Sequence, residues 1–317
     1  MRNSFTPFII TFIFSLFIAT NLMSQIKNMP KAVTTAHAEK GNKDEILSYF
    51  KLDASYLTNS VYLGRKDSLT LPYITPALSY YHKSGLYASV YVGFLNSKET
   101  KQVDYYSFDL GYEFKITDNM TANVYGDKTF NSDGSNRVNG DINGRLNANL
   151  TYDFNVVELS SEFNTYFSAK TDFAFFSSIN HAFYLGKEDR QWTINPTALV
   201  NFSTLNFYEG YTSGKVGRKQ LLNPNIVSVT ATTTVENNKM TLMNYELSLP
   251  ISFETKRFGF YITPTYSIPH NAINTKTVIV ATRKNGTKSI NTVNSTPYSE
   301  KYLEKTFYGE IGFNVKF

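Results

Sequence analysis

From about Ser48 onward, apolar and polar residues alternate with a period of two in stretches of ten to fifteen residues. That period places alternate side chains on opposite faces of a β-strand. Residues 141–154 are the plainest case: Ile142, Gly144, Leu146, Ala148, Leu150, Tyr152 and Phe154 fall on one face, and Asp141, Asn143, Arg145, Asn147, Asn149, Thr151 and Asp153 on the other. The same reading sets Tyr106, Phe108, Leu110, Tyr112 and Phe114 against Ser107, Asp109, Gly111, Glu113 and Lys115. It also sets Met243, Tyr245, Leu247, Leu249, Ile251 and Phe253 against Asn244, Glu246, Ser248 and Ser252. Applied throughout, it predicts twelve strands, near 48–63, 70–82, 85–96, 104–116, 119–130, 139–153, 156–168, 171–185, 191–206, 240–255, 258–269 and 305–317. An even number of long strands, each with one greasy and one wet face, predicts an all-β fold: a closed antiparallel transmembrane β-barrel.

The predicted connections alternate in length. Short polar turns fall at 82–85, 117–119, 155, 186–190 and 256–257, and the longest connections at 207–239 and 270–304. Short periplasmic turns with long surface loops are the expected asymmetry of such a barrel. Pro76, Pro196, Pro250 and Pro264 lie inside predicted strands. Proline cannot donate to the ladder, so each predicts a bulge or an open hydrogen bond, and together a weakened band most evident across the ninth to eleventh strands. In the two long loops, 226–235 and 277–282 have strand character, and Lys215, Arg218, Lys219, Lys239, Lys276, Arg283, Lys284, Lys288 and Lys301 make the surface basic. Contact with lipopolysaccharide phosphates is the expectation there.

The start of the chain changes the compartment. Arg2 followed by an apolar run at 8–19 and a short mixed tail to Gln25 has the layout of a secretory signal peptide, 1–25. A run of about a dozen residues is too short for a transmembrane helix, which needs roughly 20. Residues 26–47 do not alternate, and predict either a flexible periplasmic tail or a plug whose Lys27, Lys31, Lys40 and Lys43 complement an acidic lumen, ahead of a barrel at 48–317. Tyr and Phe number 23 and 25 of 317 residues, an abundance usual for barrels with aromatic girdles. There is no cysteine, hence no disulfide, thiolate nucleophile or lipid-attachment site. A net charge of +5 spread along the chain, without a basic stripe, gives nucleic acid no footprint, and no nucleotide-binding glycine motif follows a strand.

The final strand reads FYGEIGFNVKF, with Phe307, Gly309, Ile311, Phe313, Val315 and Phe317 on one face and Tyr308, Glu310, Asn314 and Lys316 on the other. A strand ending on an aromatic resembles the insertion signal of bacterial outer-membrane β-barrels, with Phe313 and Phe317 as its aromatic positions. With the Ser24-Gln25 end of the leader and the Tyr/Asn-rich strands, the chain resembles an outer-membrane β-barrel of the Bacteroidota, porin-like. The resemblance implies the outer membrane of a Gram-negative bacterium, with membrane lipid, lipopolysaccharide and the barrel-assembly machinery as partners and no cofactor.

Inward positions are mostly acidic: Asp53, Asp109, Glu113, Asp127, Asp141, Asp153, Glu158, Glu162, Glu246, Glu254 and Glu310, against Lys51, Lys115, Arg145 and Lys316. An acidic lining attracts cations; internal ion pairs such as Arg145 with Glu162 are the alternative use of the same charges. Hairpin register also predicts Asp109 opposite Asp127. Oligogalacturonate and sialic-acid channels line their pores with basic residues, and this lining differs from theirs. The leading expectation is a passive channel for small neutral or cationic solutes; the alternative is a non-conducting anchor whose long loops bind a partner.

Of four histidines, His181 falls on the lipid side of the eighth strand near Ser177 and Ser178, a layout that resembles the outer-membrane phospholipase. Four residues of strand separate Ser177 from His181, roughly 13 Å, beyond hydrogen-bond reach. A girdle histidine is therefore expected, with no catalytic residue, and no His, Asp or Glu spacing suggests a metal.

Overall fold

The computed structural model describes residues 47–132, 135, 137–187, 189–236, 238–295 and 303–317. The leader 1–25 and the tail or plug at 26–47, Leu47 apart, lie outside the described residues.

Twelve antiparallel strands form the wall, one for each predicted stretch: β1 (Tyr49–Leu57), β2 (Tyr73–Tyr81), β3 (Leu86–Asn96), β4 (Lys101–Thr117), β5 (Met120–Asn131), β6 (Gly144–Asp153), β7 (Glu158–Phe167), β8 (Asp172–Asn180 and Phe183–Lys187), β9 (Arg190–Ile194 and Thr197–Ser203), β10 (Thr241–Ser248 and Ile251–Thr255), β11 (Phe258–Pro269) and β12 (Thr306–Lys316). Each pairs with its neighbours in sequence, and the ring closes where Lys51, Asp53 and Leu57 of β1 meet Lys316, Asn314 and Glu310 of β12. Closure leaves no strand edge to be satisfied in lipid, which is why a sheet can cross a membrane only as a barrel. The outer face carries Leu52, Leu78, Phe108, Leu146, Phe163, Tyr245 and Phe313, all exposed, as a lipid-facing surface requires. Phe317 is 73% exposed just past the end of β12.

The prolines act as predicted. Pro196 and Pro250 sit where β9 and β10 are interrupted, Pro264 lies opposite the gap in β10, and Thr75 and Pro76 have no partner on β3. Backbone bonds from His181 to the Pro196 carbonyl, Asn195 to that of Pro250 and Leu249 to that of Pro264 bridge the gap across four adjacent strands.

Three predicted features differ. The alternation at 141–154 enters the wall only at Gly144; Asp141 and Ile142 belong to the preceding loop, where Ile142 is buried. Met243 was expected to face lipid but is fully buried, because a bulge between Asn201 and Phe202 shifts β10 by one residue and turns its side chain inward. The first strand stops at Leu57, and the following loop folds into a small hairpin of Val61–Tyr62 and Arg65–Lys66.

The short turns gather at one end of the barrel and the long connections at the other. The connection from β9 to β10 contains a helix, α1 (Phe207–Leu221), which the alternation did not predict. Beyond it, Ile226–Val235 joins Thr275–Arg283 and Lys288–Ser295 from the β11–β12 connection in a three-stranded sheet, in keeping with the strand character of both loops.

Candidate functional site

Each predicted lining residue in the strands falls on the inward parity: Asp53 on β1, Asp109 and Glu113 on β4, Asp127 on β5, Arg145 on β6, Glu162 on β7, Glu246 on β10 and Glu310 on β12. Asp141 does not join them, since it precedes the strand. Asp109, Asp127 and Arg145 stand in register on three successive strands. The Arg145 Nε lies 2.6 Å from Asp127 Oδ1, and its guanidinium sits 4.7 Å from the Tyr125 ring centre. Arg145 therefore pairs with Asp127 and not with Glu162, because register sets Arg145 opposite Tyr166 and Glu162 opposite Asn149. Elsewhere Lys51 meets Asp53 at 3.1 Å and Lys316 meets Glu254 at 3.4 Å, while Glu246 accepts bonds from Asn244, Ser267 and Tyr308. Ion pairs thus use part of the charge, and Glu310, which accepts from the Tyr261 hydroxyl at 3.2 Å, is among the carboxylates held by a neutral group.

The interior is not uniform. A cavity of about 400 Å³ lies against β1 to β4 with β11 and β12, from Lys51 and Asp53 near the short-turn end to Arg137 and Asn139 near the long loops. Its wall is small hydroxyls, Ser55, Thr75 and Ser79, and tyrosines, Tyr73, Tyr81, Tyr91, Tyr105 and Tyr261. Inward Gly93 makes room for one of these rings: a Cβ there would lie 1.8 Å from the Tyr105 ring, so the glycine lets Tyr105 lie flat on the wall.

Over the remaining strands the long-loop end is capped. Phe207, Tyr208 and Tyr211 of α1 are buried with Leu63, Val138, Ile142, Tyr166, Ala174, Leu205, Met243 and Ile273 in one apolar cluster that joins wall and loops. Asp172 at the start of β8 accepts from the backbone amides of Asn206 at 2.8 Å and Phe207 at 2.6 Å, and so satisfies the helix N-terminus. Arg65, fully buried, donates to the carbonyls of Leu63, Met243, His270 and Asn271 at 2.5 to 2.7 Å, which ties the β1–β2 and β11–β12 connections to β10. Asp67, 4% exposed, accepts from the Leu69 amide, the Tyr211 hydroxyl and Lys215. Burial alone raises its pKa, but these donors outweigh burial and hold the carboxyl below its usual range.

Sequence reasoning missed the cap and the cavity's tyrosines. His181 approaches the Val156 carbonyl and packs edge-on against Phe183, whereas Ser177 bonds to the Ser160 carbonyl, so the structure gives the two residues separate partners. Among the described residues no group of three His, Cys, Asp or Glu side chains is placed to hold a metal ion.

No family model matches the chain, and no curated protein does. Among solved structures, the KdgM porin is similar at 9% identity over 86% of this chain and 99% of its own, with a TM-score of 0.40. The NanC porin is similar at 11% identity over 84% and 98%, TM-score 0.41. An outer membrane channel of Pseudomonas putida F1 is similar at 12% over 88% and 100%, TM-score 0.35. Likeness at this level carries no argument about function, and the barrel rests on its own strand pairings.

Proposed function

We propose that this protein is a passive channel of the outer membrane for small neutral or cationic solutes, closed at its long-loop end in the conformation described. The observation that carries the reading is the cavity of about 400 Å³ inside the wall, lined by hydroxyls and carboxylates and running between the two ends of the barrel. A polar interior inside an apolar wall is how a barrel holds water in a membrane. The volume falls within the ~300–1,000 Å³ of small-molecule sites. Lys51 offsets Asp53 in its wall, and Glu310, held by the neutral Tyr261 hydroxyl, is the carboxylate left to favour cations over anions. In a planar bilayer under a KCl gradient, the purified protein should give current steps with a cation-biased reversal potential. Asp53→Asn with Glu310→Gln should reduce that bias. Absence of current across salt and pH overturns the reading.

A second reading has its own observation. Leu222, Val227 and Ile290 are exposed at 82%, 56% and 73% on the helix and sheet beyond the barrel, which suits a surface that holds a partner. A protein that passes no current, yet loses a defined surface partner when 213–237 is deleted, supports that reading over the channel.

A further inference from the structure

We propose that the cavity takes a small organic cation of guanidinium or ammonium type, and that the Arg137 side chain occupies the outer end of that site in its place. The proposal rests on the channel reading for passage, but not for binding.

Arg137 lies in the connection between β5 and β6, and its side chain enters the lumen. Its guanidinium carbon stands 4.1 Å from the centre of the Tyr105 ring and 6.0 Å from that of Tyr73. The aromatic face attracts a cation within about 6 Å by its quadrupole, and aromatic cages of this sort hold quaternary ammonium ligands. The two rings are themselves fixed. Tyr105 lies in the space Gly93 leaves open, and Tyr73 donates its hydroxyl to the fully buried Asp104 at 2.5 Å. Asp104 is in turn held by Ser132 and Ser135, both at 2.8 Å. A carboxylate behind the Tyr73 hydroxyl adds negative potential to a site whose open side faces the cavity.

What holds Arg137 there is weak. Its other bonds go to neutral amide oxygens, Asn139 Oδ1 at 3.2 Å and Asn131 Oδ1 at 3.4 Å, and among the described residues it makes no ion pair with a carboxylate. A guanidinium kept by ring faces and amides alone can be exchanged for another cation at little cost. Two other interior arginines are held differently: the fully buried Arg65 has four carbonyls, and the half-buried Arg145 a carboxylate at 2.6 Å.

Position gives the exchange a purpose. Arg137 lines the lumen cavity and also a second cleft, of about 440 Å³, on the surface between α1 and the β5–β6 connection, and it is the one residue common to both linings. The outer cleft carries Asp141 beside Lys128 and Arg218, and the inner cavity carries Asp53, paired with Lys51, and Glu310. Charges of both signs flank the passage on either side, so what selects a cation is the tyrosine cage in the middle. A neutral sugar lacks the charge that the ring quadrupoles attract and gains much less, and an anion is repelled by the ring faces.

The test uses the full-length protein in detergent, with agmatine and tetramethylammonium as cation probes and glucose as the neutral control, by equilibrium dialysis, alongside block of KCl current in bilayers. Both cations should bind and glucose should not. Arg137→Ala empties the cage and should tighten agmatine binding about three- to thirty-fold, the range that a cation–π contact of ~0.5–2 kcal/mol implies. Tyr105→Leu should weaken it by a similar factor, and Gly93→Ala, which displaces the ring without removing it, should weaken it too; heat-dependent gel mobility confirms that each variant is folded. Equal binding of glucose, or agmatine binding unchanged or weakened in Arg137→Ala, overturns the proposal. KCl current without any binding or block by agmatine removes the site and leaves the channel, whereas agmatine binding without current removes the channel and leaves the site.

Discussion

The two sides of the lumen are built from the same alternating strands and reach opposite ends. At mid-height of β1 and β2 the inward residues are small, Ser55, Thr75, Ala77 and Ser79, with larger ones such as Lys51, Tyr73 and Tyr81 toward the strand ends, and space remains between the walls. From β6 to β10 the inward residues include asparagines that bond across strands, Asn147 to Asn164 at 2.9 Å and Asn201 to Asn244 at 3.0 Å, and the helix packs on the inner residues Tyr166, Ala174 and Met243. Asn244 continues the chain to Ser267 on β11 at 3.0 Å. Side-chain size and cross-strand bonding therefore decide where a twelve-stranded wall stays open, and the loops finish what the strands begin. Barrels of eight strands are filled by side chains and those of sixteen hold a channel; this one is filled on one side and keeps a cavity on the other.

The largest break in the contrast should come from Arg65. Arg65→Met keeps much of the volume but takes the donor from four carbonyls, of which that of Met243 keeps the His270 amide, and orphaned buried acceptors cost about 1–3 kcal/mol each. The cap should lose roughly 4 kcal/mol or more and the packed side should open. Urea titration of helix-amide protection, with open-state current beside it, reads both; wild-type values for the two would refute the role of Arg65 as the tie between connections.

Phe207→Ala comes next. The ring is 1% exposed and meets Tyr62 edge-on at 5.1 Å. Its loss should weaken docking of α1 by about 3 kcal/mol, the lower end of the range for buried phenylalanine. The barrel's own thermal transition should stay where it is, since the wall pairs without the helix. A fall of that transition by as much as the cap's would mean the two are one cooperative unit. Asp172→Ala is smaller, about 1–2 kcal/mol, because it removes the acceptor of two helix-terminal amides and leaves the apolar contacts in place.

These positions also mark how far the sequence could be read. Strand alternation is enforced residue by residue, by lipid on one face and the lumen on the other, so twelve strands and the inward acids were legible, down to Asp109 opposite Asp127. The cap was not, since its apolar residues are scattered over four connections and three strands and share no period. Helix α1 carries Glu209 in its first turn and Arg218 and Lys219 in its last, which are helix signals. They were masked by Gly210, Gly214 and Gly217, which read as loop. Gly210 is there for contact: a Cβ would fall 1.4 Å from Asp141 Oδ2, so the helix can approach the β5–β6 connection only without a side chain. The partner of Arg145 was misplaced because the β6–β7 turn, closing at Asp153 and Glu158, sets Arg145 opposite Tyr166 and leaves Glu162 four residues along the strand, opposite Asn149.

The smallest expected effect is a response to pH at Asp67, and it separates the cap from the wall most cleanly. Asp67 joins the β1–β2 connection to α1 through the Tyr211 hydroxyl at 2.7 Å and Lys215 at 3.0 Å. Burial opposes its charge, but the Leu69 amide, Tyr211 and Lys215 together hold its pKa below the ordinary value of 3.8. A carboxylate lowered in the folded state stabilises the fold above its unfolded pKa, and that contribution is lost as pH falls through the folded value. The strap should thus be intact from neutrality down to about pH 4 and slacken only below it. Lys215 is 41% exposed, so solvent screens its share, and the Tyr211 bond should dominate. Measured as exchange of the α1 amides, wild type should show loosening on acidification below about pH 4, and Asp67→Asn should be loosened already at pH 7 with a flatter profile. If the variant keeps the wild-type profile, the acid response belongs to another carboxylate, and the hairpin of Val61–Lys66 is held to the helix by its apolar contacts alone.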